Sequence, residues 1–298
     1  LDAIERKEFV MDLGFMIGHG PVRSYVMGYD RCQNQVDASK DEINQMSEIV
    51  EKAINAGALG FSTSRTILHR DIHGVYVPGT EASSEEMKEL AFAVDRAGEG
   101  TLEIVSDWLD QEIEMSWMKE YVEKSDCGLT VLQTNGDSVK TILYCEEQFL
   151  KGKNVRPQFP GRNVGLMFGL ESSLHPFIGH PSYKDISHLP LNERLSIMRD
   201  PAFKQKILNE SPSFREDLQK AAKEQKSNKT KEEIKAEAEI GKKLISNYET
   251  QFILSDPPNY EPTREDSIAY LAEQRNQSEE EVIYDELIKD KGKSMIYA

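Results

Sequence analysis

The feature that most limits the fold is a unit of one strand and one helix that recurs along the first 160 residues. Apolar runs of strand length lie at 13–17, 58–61, 101–105, 129–133 and 155–159. From the second run onwards, each is preceded by a stretch with helical periodicity. Apolar strands that are reached through helices are typical of parallel sheets covered on both faces. The sequence therefore predicts an α/β fold.

Helix starts are marked by the capping-box pattern S-x-x-E. It occurs at Ser39–Glu42 and Ser83–Glu86, and again at Ser278–Glu281 near the end of the chain. In this motif the Ser hydroxyl accepts a hydrogen bond from the backbone N–H of the Glu, and the Glu carboxylate accepts one from the backbone N–H of the Ser. We predict a helix after each box, and further helices over about 109–124 and 138–150.

Two architectures suit parallel strands at intervals of roughly 25 to 45 residues, a (β/α)8 barrel and an open doubly wound sheet. A doubly wound sheet that binds nucleotides carries a glycine-rich phosphate turn after a strand. No strand here runs into G-x-G-x-x-G, and GxxxxGK[ST] is absent from the sequence. We therefore predict a TIM-like (β/α)8 barrel that lacks about three of its strands.

The composition of the sequence changes after Gly161, since residues 163–201 are rich in aromatic, Pro and Gly residues. We predict that residues 1–162 form the partial barrel and that residues 163–298 continue the same domain, with a loop region and a charged helical insertion. The stretch at about 203–247 is dominated by Lys and Glu. A charge run of this kind predicts a solvated helical pair rather than a binding surface. Another helix is expected near 265–276.

The charge balance bears on partners and location. The chain has 36 basic and 52 acidic residues, a formal net charge of -16, which repels phosphate backbones and anionic lipid. Nucleic acid and membranes are not expected as partners, whereas a homo-oligomer is compatible with the sequence. The three cysteines have no C-x-x-C spacing, which fits a reducing, cytoplasmic setting. The chain opens at Leu1 without an initiator Met, so secretion is left open.

Polar side chains cluster directly after the second predicted strand, as Ser62, Thr63, Ser64 and Arg65. A barrel builds its active site at the carboxyl ends of its strands. An arginine beside hydroxyls suits a substrate that carries a carboxylate. The alternative is that the arginine ties the loop to a neighbouring acid. Because no G-x-S-x-G surrounds either serine, we do not expect nucleophilic catalysis.

Of the six histidines, only His19 directly follows a predicted strand. It is a candidate metal ligand or a residue that anchors a loop. His69 and His73 are four residues apart, but Gly74 and the Pro78–Gly79 pair exclude a helix that would place both rings on one face. From a loop, each could still bind a metal or a substrate. We expect His69 to face the substrate and His73 to be a loop residue.

Four further polar residues lie in or after the next two strands. They are candidate metal ligands, general bases or residues that orient ligands. These residues are Glu103, Asp107, Gln133 and Asn135.

Several ordered motifs together carry a resemblance to a known family. They are GHGPVRSYVMG (18–28), GALGFSTSRTILHRDIHGVYVPGT (57–80), HPFIGHPSY with the following LPLNERLSIMRDP (175–201), and DPPNYEP (256–262). The chain resembles the N-acyl-D-amino-acid deacylase (D-aminoacylase)-like branch of the amidohydrolase superfamily. The resemblance implies a hydrolase that cleaves the C–N bond of a linear amide, such as an N-acyl amino acid of D configuration. It also implies that zinc or another divalent ion activates water on a TIM-like barrel.

The chain departs from the family pattern at the metal ligands. The family's H-x-H pair and its catalytic aspartate lie on the first and last barrel strands, and neither is present here. Related D-aminoacylases place histidines after the fifth and sixth strands, whereas GTLEIVSD (100–107) and LTVLQTN (129–135) contain none. Both gaps are explained if the five strands are the third to the seventh. We therefore expect a fragment, inactive by itself, whose catalytic aspartate lies beyond residue 298.

The resemblance and the residues together define the predicted site. We expect the substrate to contact Ser62, Ser64, Arg65 and His69. We expect a metal to be bound or supported by His19, Glu103 and Gln133. Two other functions are compatible with the sequence, namely another amidohydrolase reaction, such as ring opening of a cyclic amide, and a non-catalytic barrel without metal.

Overall fold

The computed structural model describes residues 2–71, 75–108, 110–133, 139–161, 165–172, 174–213 and 231–298. The chain divides into two compact units, Leu1–Asn163 and Val164–Ala298. The division falls where the sequence changes character. That the second unit continues the barrel of the first stays a prediction.

The first unit contains a parallel sheet whose strands follow one another in chain order. A doubly wound sheet reverses its strand order partway through, whereas a barrel adds each strand beside the previous one. The observed order confirms the α/β prediction and is that of a partial TIM-like barrel. The strands are β1 (Ile17–Gly18), β2 (Gly60–Arg65), β3 (Thr101–Ser106), β4 (Gly128–Leu132) and β5 (Val155–Gln158).

Helices connect the strands of this unit, as the sequence predicts. They are α1 (Asp2–Glu5), α2 (His19–Met27), α3 (Tyr29–Gln33), α4 (Lys40–Asn55), α5 (Ser84–Arg96), α6 (Gln111–Lys124) and α7 (Val139–Leu150). The last four helices, α4 to α7, cover the sheet.

The two faces of the sheet differ in polarity. One row of residues in register is at most 2% exposed and packs with α4 to α7 in a single core; it consists of Phe61, Leu102, Leu129 and Val155. The next row is half-buried or exposed and polar; it consists of Ser62, Glu103, Thr130 and Arg156. The expectation of strands covered on both faces is therefore wrong for these positions. Helices on one face of the sheet only are the arrangement of a barrel wall.

The capping boxes are only partly realised. Ser39 and Glu42 form both hydrogen bonds of the motif. At α5 the Ser83 hydroxyl accepts from the backbone N–H of Glu86 at 3.2 Å, but the Glu86 carboxylate bonds instead to a buried histidine, His19. A buried charged partner thus competes with the local capping bond.

The second unit combines a small antiparallel sheet with helices. The sheet has the order β6 (Met167–Phe168), β8 (Ile296–Tyr297), β7 (Phe252–Ile253). The helices are α8 (Pro181–Ile186), α9 (Leu191–Met198), α10 (Pro201–Leu208), α11 (Lys231–Ser246), α12 (Ile268–Arg275) and α13 (Glu279–Leu287).

The core of this unit is aromatic and aliphatic. Phe168, Phe177 and Tyr284 are fully buried in it, and the Tyr284 hydroxyl donates to the Met198 carbonyl at 2.7 Å. Two helices, α10 and α11, lie in or overlap the charged stretch, and residues 214–230 between them are outside the described part of the chain. Each helix places one buried side chain in this core, Ile207 and Ile245. That the two form a solvated pair stays a prediction. Within the described part, no helix is long and apolar enough to cross a membrane.

Candidate functional site

A pocket of about 530 Å³ opens at the carboxyl ends of β1 and β2. This is the edge at which a barrel builds its active site. The walls come from the end of β1, the start of α2, the second half of β2 and the loop after it. The lining residues are Gly18, His19, Gly20, Pro21, Ser62, Thr63, Ser64, Leu68, His69, Arg70, Val77 and Pro78.

Three of the four predicted substrate residues meet in this pocket, namely Ser62, Ser64 and His69. Ser64 Oγ lies 2.5 Å from His69 Nδ1. The His69 backbone N–H donates to the Thr66 carbonyl at 3.3 Å, and its own carbonyl accepts from Val77 N–H at 3.2 Å. The ring is therefore held by a loop, as predicted, and not by a helix. His73 lies outside the described residues.

Arg65, the fourth predicted substrate residue, does not line the pocket. Its Nε and Nη2 donate to the Glu114 carboxylate at 2.6–3.0 Å, and its Nη1 donates to the Ala82 carbonyl at 2.7 Å. The side chains are 12% and 8% exposed. This is the second of the two roles considered for Arg65, an arginine that ties the strand end to a neighbouring acid. The fork geometry of the guanidinium suits such a bidentate contact.

Asp107 ties down the loop after β2 in a similar way. Its carboxylate accepts from the Thr66 hydroxyl and from Ile67 N–H, both at 2.6 Å. The sequence placed Asp107 among the candidate ligands, and the structure places it beside the pocket loop as an anchor.

Beneath the pocket, His19 belongs to a buried polar network. Its Nε2 lies 2.7 Å from Glu86 Oε1, which also accepts from Arg23 Nε at 2.9 Å. Its Nδ1 lies 2.9 Å from Thr63 Oγ1. The side chains of His19, Arg23 and Glu86 are at most 1% exposed. Glu86 Oε2 and Arg23 Nη1 are buried without a hydrogen-bond partner in the part of the chain that the structure describes.

The environment decides the protonation of this network. Burial lowers the pKa of His19, so the ring is neutral at pH 7. Burial by itself would raise the pKa of Glu86, but the hydrogen bond from His19 and the charge and hydrogen bond of Arg23 outweigh it and lower that pKa. An ionised Glu86 accepts from His19 Nε2–H, and the remaining nitrogen, Nδ1, then accepts from the Thr63 hydroxyl. Neither ring nitrogen has a lone pair left for a metal.

The residues predicted to surround a metal do not converge. Glu103 lies half-buried in mid-sheet, and Gln133 is 1% exposed and donates to the Val131 carbonyl at 3.0 Å. Over the described ranges, no three His, Cys, Asp or Glu side chains are grouped so that they could hold a metal ion. Asn135 lies outside those ranges. The described residues do not fit a metal centre, and metal dependence stays a prediction.

Sequence reasoning missed Glu86 and Arg23. One signal was available for Arg23, because it follows His19 by four residues on α2, and this spacing brings two side chains together on a helix. No spacing rule identifies Glu86, which is 63 residues from Arg23 in the chain and reaches it only through the packing of α5 on α2 and β2.

Gly79 lies directly against the His19 ring of this network. Its φ is +97°, and a Cβ at this position would lie 2.6 Å from His19 Nδ1. We expect Gly79→Ala to lower the free energy of unfolding by about 1 to 2 kcal/mol, because the left-handed backbone and the ring contact both oppose a side chain. Urea unfolding measures this effect. Gly161→Ala is the control, because a Cβ there would meet no described atom within 4 Å, and equal costs for the two would contradict the expectation.

No family model and no curated protein sequence matches the chain. Two solved structures are similar to it. One is a D-aminoacylase mutant in complex with CuCl2, at 14% identity and a TM-score of 0.42, covering 95% of this chain and 42% of that one. The other is N-acyl-D-glutamate deacylase from Bordetella bronchiseptica, complexed with zinc and a phosphonate mimic of the tetrahedral intermediate. It has 13% identity and a TM-score of 0.45, covering 99% of this chain and 45% of that one. The chain spans less than half the length of either.

Proposed function

We propose that the protein is a hydrolase of linear amides that deacylates N-acyl amino acids, and that the pocket holds the carboxylate of the substrate. One observation carries the proposal. Among the residues that the structure describes, none that lines the pocket is acidic, although the chain has 52 Asp and Glu residues and a net charge of -16. An anion that enters this pocket therefore meets hydroxyls and the guanidinium of Arg70 in an otherwise repulsive molecule.

The donors of the pocket suit a carboxylate. The hydroxyls of Ser62 and Ser64 and the side chains of His69 and Arg70 line it. Arg70 is held in place, because its Nε donates to the Ile67 carbonyl at 3.1 Å and its guanidinium lies 4.2 Å from the Tyr76 ring centroid. A held guanidinium loses little freedom when it binds an anion.

The start of α2 adds to the attraction. Its N-cap, Gly18, has no side chain to satisfy the first N–H groups of this nine-residue helix. Those N–H groups have no partner inside the helix, and the helix dipole favours a negative charge beside them. Gly18, His19 and Gly20 all line the pocket.

The remaining wall is apolar and suits an acyl group. Pro21, Leu68, Val77 and Pro78 supply it. An N-acyl amino acid has both parts, a carboxylate and an apolar acyl chain. The D configuration and the divalent metal are proposed from the motif resemblance alone, and no step is assigned to a metal because the described residues do not form a site for one.

The test compares substrates that differ only in the carboxylate. We expect the chain to bind N-acetyl-D-leucine at least about 10-fold more tightly than N-acetyl-D-leucinamide, since a charge-assisted contact is lost in the amide. Calorimetry measures both affinities, and the L enantiomer tests the proposed configuration. Because this chain is expected to be inactive by itself, turnover is measured as release of leucine from N-acetyl-D-leucine by the full-length protein, with and without added zinc. Equal affinity of this chain for acid and amide, or no leucine release by the full-length protein, would refute the proposal.

Arg70 provides the corresponding variant. We expect Arg70→Met to weaken binding of N-acetyl-D-leucine about 10-fold and to leave binding of the amide unchanged. Arg156→Met is the matched control, because that guanidinium also stacks on a ring, Phe149 at 4.4 Å, but does not line the pocket. An equal loss of affinity in both variants would show that Arg70 acts only through general electrostatics.

A further inference from the structure

We propose that Asp71 is a positioning residue, which fixes the loop after β2 to α3 and so holds Arg70 where a carboxylate can bind. Asp71 does not line the pocket itself, whereas the preceding residue, Arg70, does. The inference rests on the proposed function for the identity of the ligand. The contacts that fix the loop do not depend on it.

Two short segments of this loop, 69–71 and 75–77, run antiparallel to each other. Arg70 pairs with Tyr76 across them, and two backbone hydrogen bonds of 2.8 and 3.2 Å join the segments. We name the two segments the pocket hairpin, since both of them contribute to the pocket wall. The hairpin residues that line the pocket are His69, Arg70 and Val77.

The position of the Arg70 side chain depends on the pairing of the two segments. Its guanidinium lies 4.2 Å from the ring centroid of Tyr76, and Tyr76 is its partner on the opposite segment. Separation of the segments would therefore take away the ring on which the guanidinium stacks. A guanidinium that is already ordered loses less freedom when it binds an anion.

Three side chains form a closed triangle that ties the pocket hairpin to α3. Asp71 Oδ2 accepts from the Tyr29 hydroxyl at 3.2 Å and from Gln33 Nε2 at 2.9 Å. Gln33 Nε2 also donates to the Tyr29 oxygen, at 2.7 Å, which uses the second N–H of the amide. The other oxygen of Asp71, Oδ1, accepts from Val75 N–H at 3.0 Å. This clasp of Asp71, Tyr29 and Gln33 thus joins both segments to one helix.

The helix presents its two donors at a suitable spacing. Tyr29 and Gln33 are four residues apart on α3, so their side chains lie on the same face. Gln35, just beyond the helix, adds a second tie, because its Nε2 donates to the carbonyls of Tyr76 and Val77 at 3.3 and 3.4 Å. The end of the hairpin that is remote from β2 is therefore held by side chains from α3 and its C-terminal extension.

Charge alone does not account for an acid at residue 71. A carboxylate beside Arg70 repels the anion that the pocket is proposed to bind. The hydrogen bonds of the clasp do account for it, since two side-chain donors and one backbone N–H meet the carboxylate. Charge and position therefore predict opposite effects on anion binding when Asp71 becomes neutral.

Asp71→Asn tests which effect dominates, because it keeps the shape of the side chain and removes its charge. In either orientation the new amide nitrogen faces a donor of the clasp, so at least one hydrogen bond is lost. We expect the variant to bind N-acetyl-D-leucine about 5-fold more weakly than the wild type and to bind N-acetyl-D-leucinamide equally well. If Asp71 acted only through its charge, the acid would bind more tightly. Calorimetry measures both affinities.

Further variants show whether the effect passes through Arg70. In an Arg70→Met background, Asp71→Asn should leave the affinity for the acid unchanged. Tyr29→Phe removes one hydroxyl of the clasp and no charge, and should weaken binding of the acid about 3-fold. Asp30→Asn is the matched control, because it removes a charge from the same helix and none of the hydrogen bonds of the clasp, and it should not weaken binding of the acid.

Hydrogen exchange tests the clasp without any ligand. Val77 N–H donates across the pocket hairpin, and NMR should show it exchanging about 5-fold faster in Tyr29→Phe than in the wild type. Leu129 N–H of β4, which donates to the Asn154 carbonyl at 2.9 Å, is the internal control and should exchange at the same rate in both proteins. Thermal unfolding of each variant shows that a change in binding is not a loss of fold.

Two binding results would overturn the inference. One is an affinity for the acid that is unchanged or higher in Asp71→Asn, and the other is a loss of affinity that is equally large in the Arg70→Met background. Either result, with a wild type that prefers the acid, leaves the proposed function standing. A wild type that binds acid and amide equally refutes the proposed function instead. The exchange of Val77 then decides the inference, since faster exchange in Tyr29→Phe supports the clasp and an unchanged rate refutes it.

Discussion

Glu86→Gln is expected to lower the free energy of unfolding of the first unit by about 3 to 5 kcal/mol. The substitution keeps the size of the side chain and removes its charge. Arg23 is 1% exposed and its Nε donates to Glu86 Oε1, so the variant leaves a buried guanidinium without its counter-ion. Urea unfolding at pH 7 gives the free energy, and Glu48→Gln, which breaks an exposed pair with Lys52, is the control with no change expected.

A double variant separates the charge from the packing. If the cost of Glu86→Gln comes from the buried, unpaired charge of Arg23, the double variant Glu86→Gln with Arg23→Met should unfold at a higher urea concentration than the single variant. His19 is neutral, so it leaves no second unpaired charge in the network. A double variant less stable than Glu86→Gln alone would show that the packing of Arg23, and not its pairing, carries the stability.

The network explains why the pocket edge is ordered. Thr63, between the two serines of the pocket, is bonded from below to His19, and Arg65 at the end of the same strand is bonded to Glu114 of α6. Ser62 and Ser64 thus lie on a strand that is tied to α2 on one side and to α6 on the other. We infer that the side chains beneath the pocket fix the backbone so that the hydroxyls above it keep their positions for a ligand.

The strands and helices could be predicted because their signals are local. Apolar runs, capping residues and glycine stops all lie within a few residues of the element that they define. For the same reason the pocket edge at Ser62 to Ser64 could be identified as the residues that follow a buried strand. The loop position of His69 followed from Gly74 and Pro78.

The partners of the charged residues could not be predicted, because they depend on how distant elements pack. Arg65 was compatible with a substrate carboxylate or with a protein acid, and only the position of α6 brings Glu114 to it. Glu86 fits the capping pattern after Ser83, yet a buried histidine outcompetes the backbone for its carboxylate. A local motif does not show which of two acceptable hydrogen bonds tertiary packing will favour.

A second large effect is expected in the other unit, where acid should act through His175. The ring is 1% exposed, and Nδ1 has no hydrogen-bond partner among the residues that the structure describes. Burial first, and then the charges of Arg194 and His180, lower the pKa of His175 to about 3. The unfolded chain binds this proton below about pH 6.5, whereas the folded unit does not until about pH 3. Stability from this group is therefore present above pH 6.5 and is lost as the pH falls towards 3.

His175→Leu removes that titration along with a buried polar atom. Relative to the wild type, the variant should gain about 3 kcal/mol between pH 7 and pH 4, because only the wild type loses stability to proton uptake by the unfolded His175. Urea unfolding of both proteins at each pH gives the difference, in which the other titrating groups cancel.

Phe177→Leu is the control for His175, since it removes apolar contacts in the same core and should cost the same at both pH values. If the gap between wild type and His175→Leu does not change with pH, the folded unit takes up the proton as readily as the unfolded chain, and the ring must then reach water. A stability difference that shifts by about 3 kcal/mol in favour of His175→Leu between pH 7 and pH 4 would instead show that the buried imidazole is compatible with this core only while it stays unprotonated, which is what its apolar surroundings require.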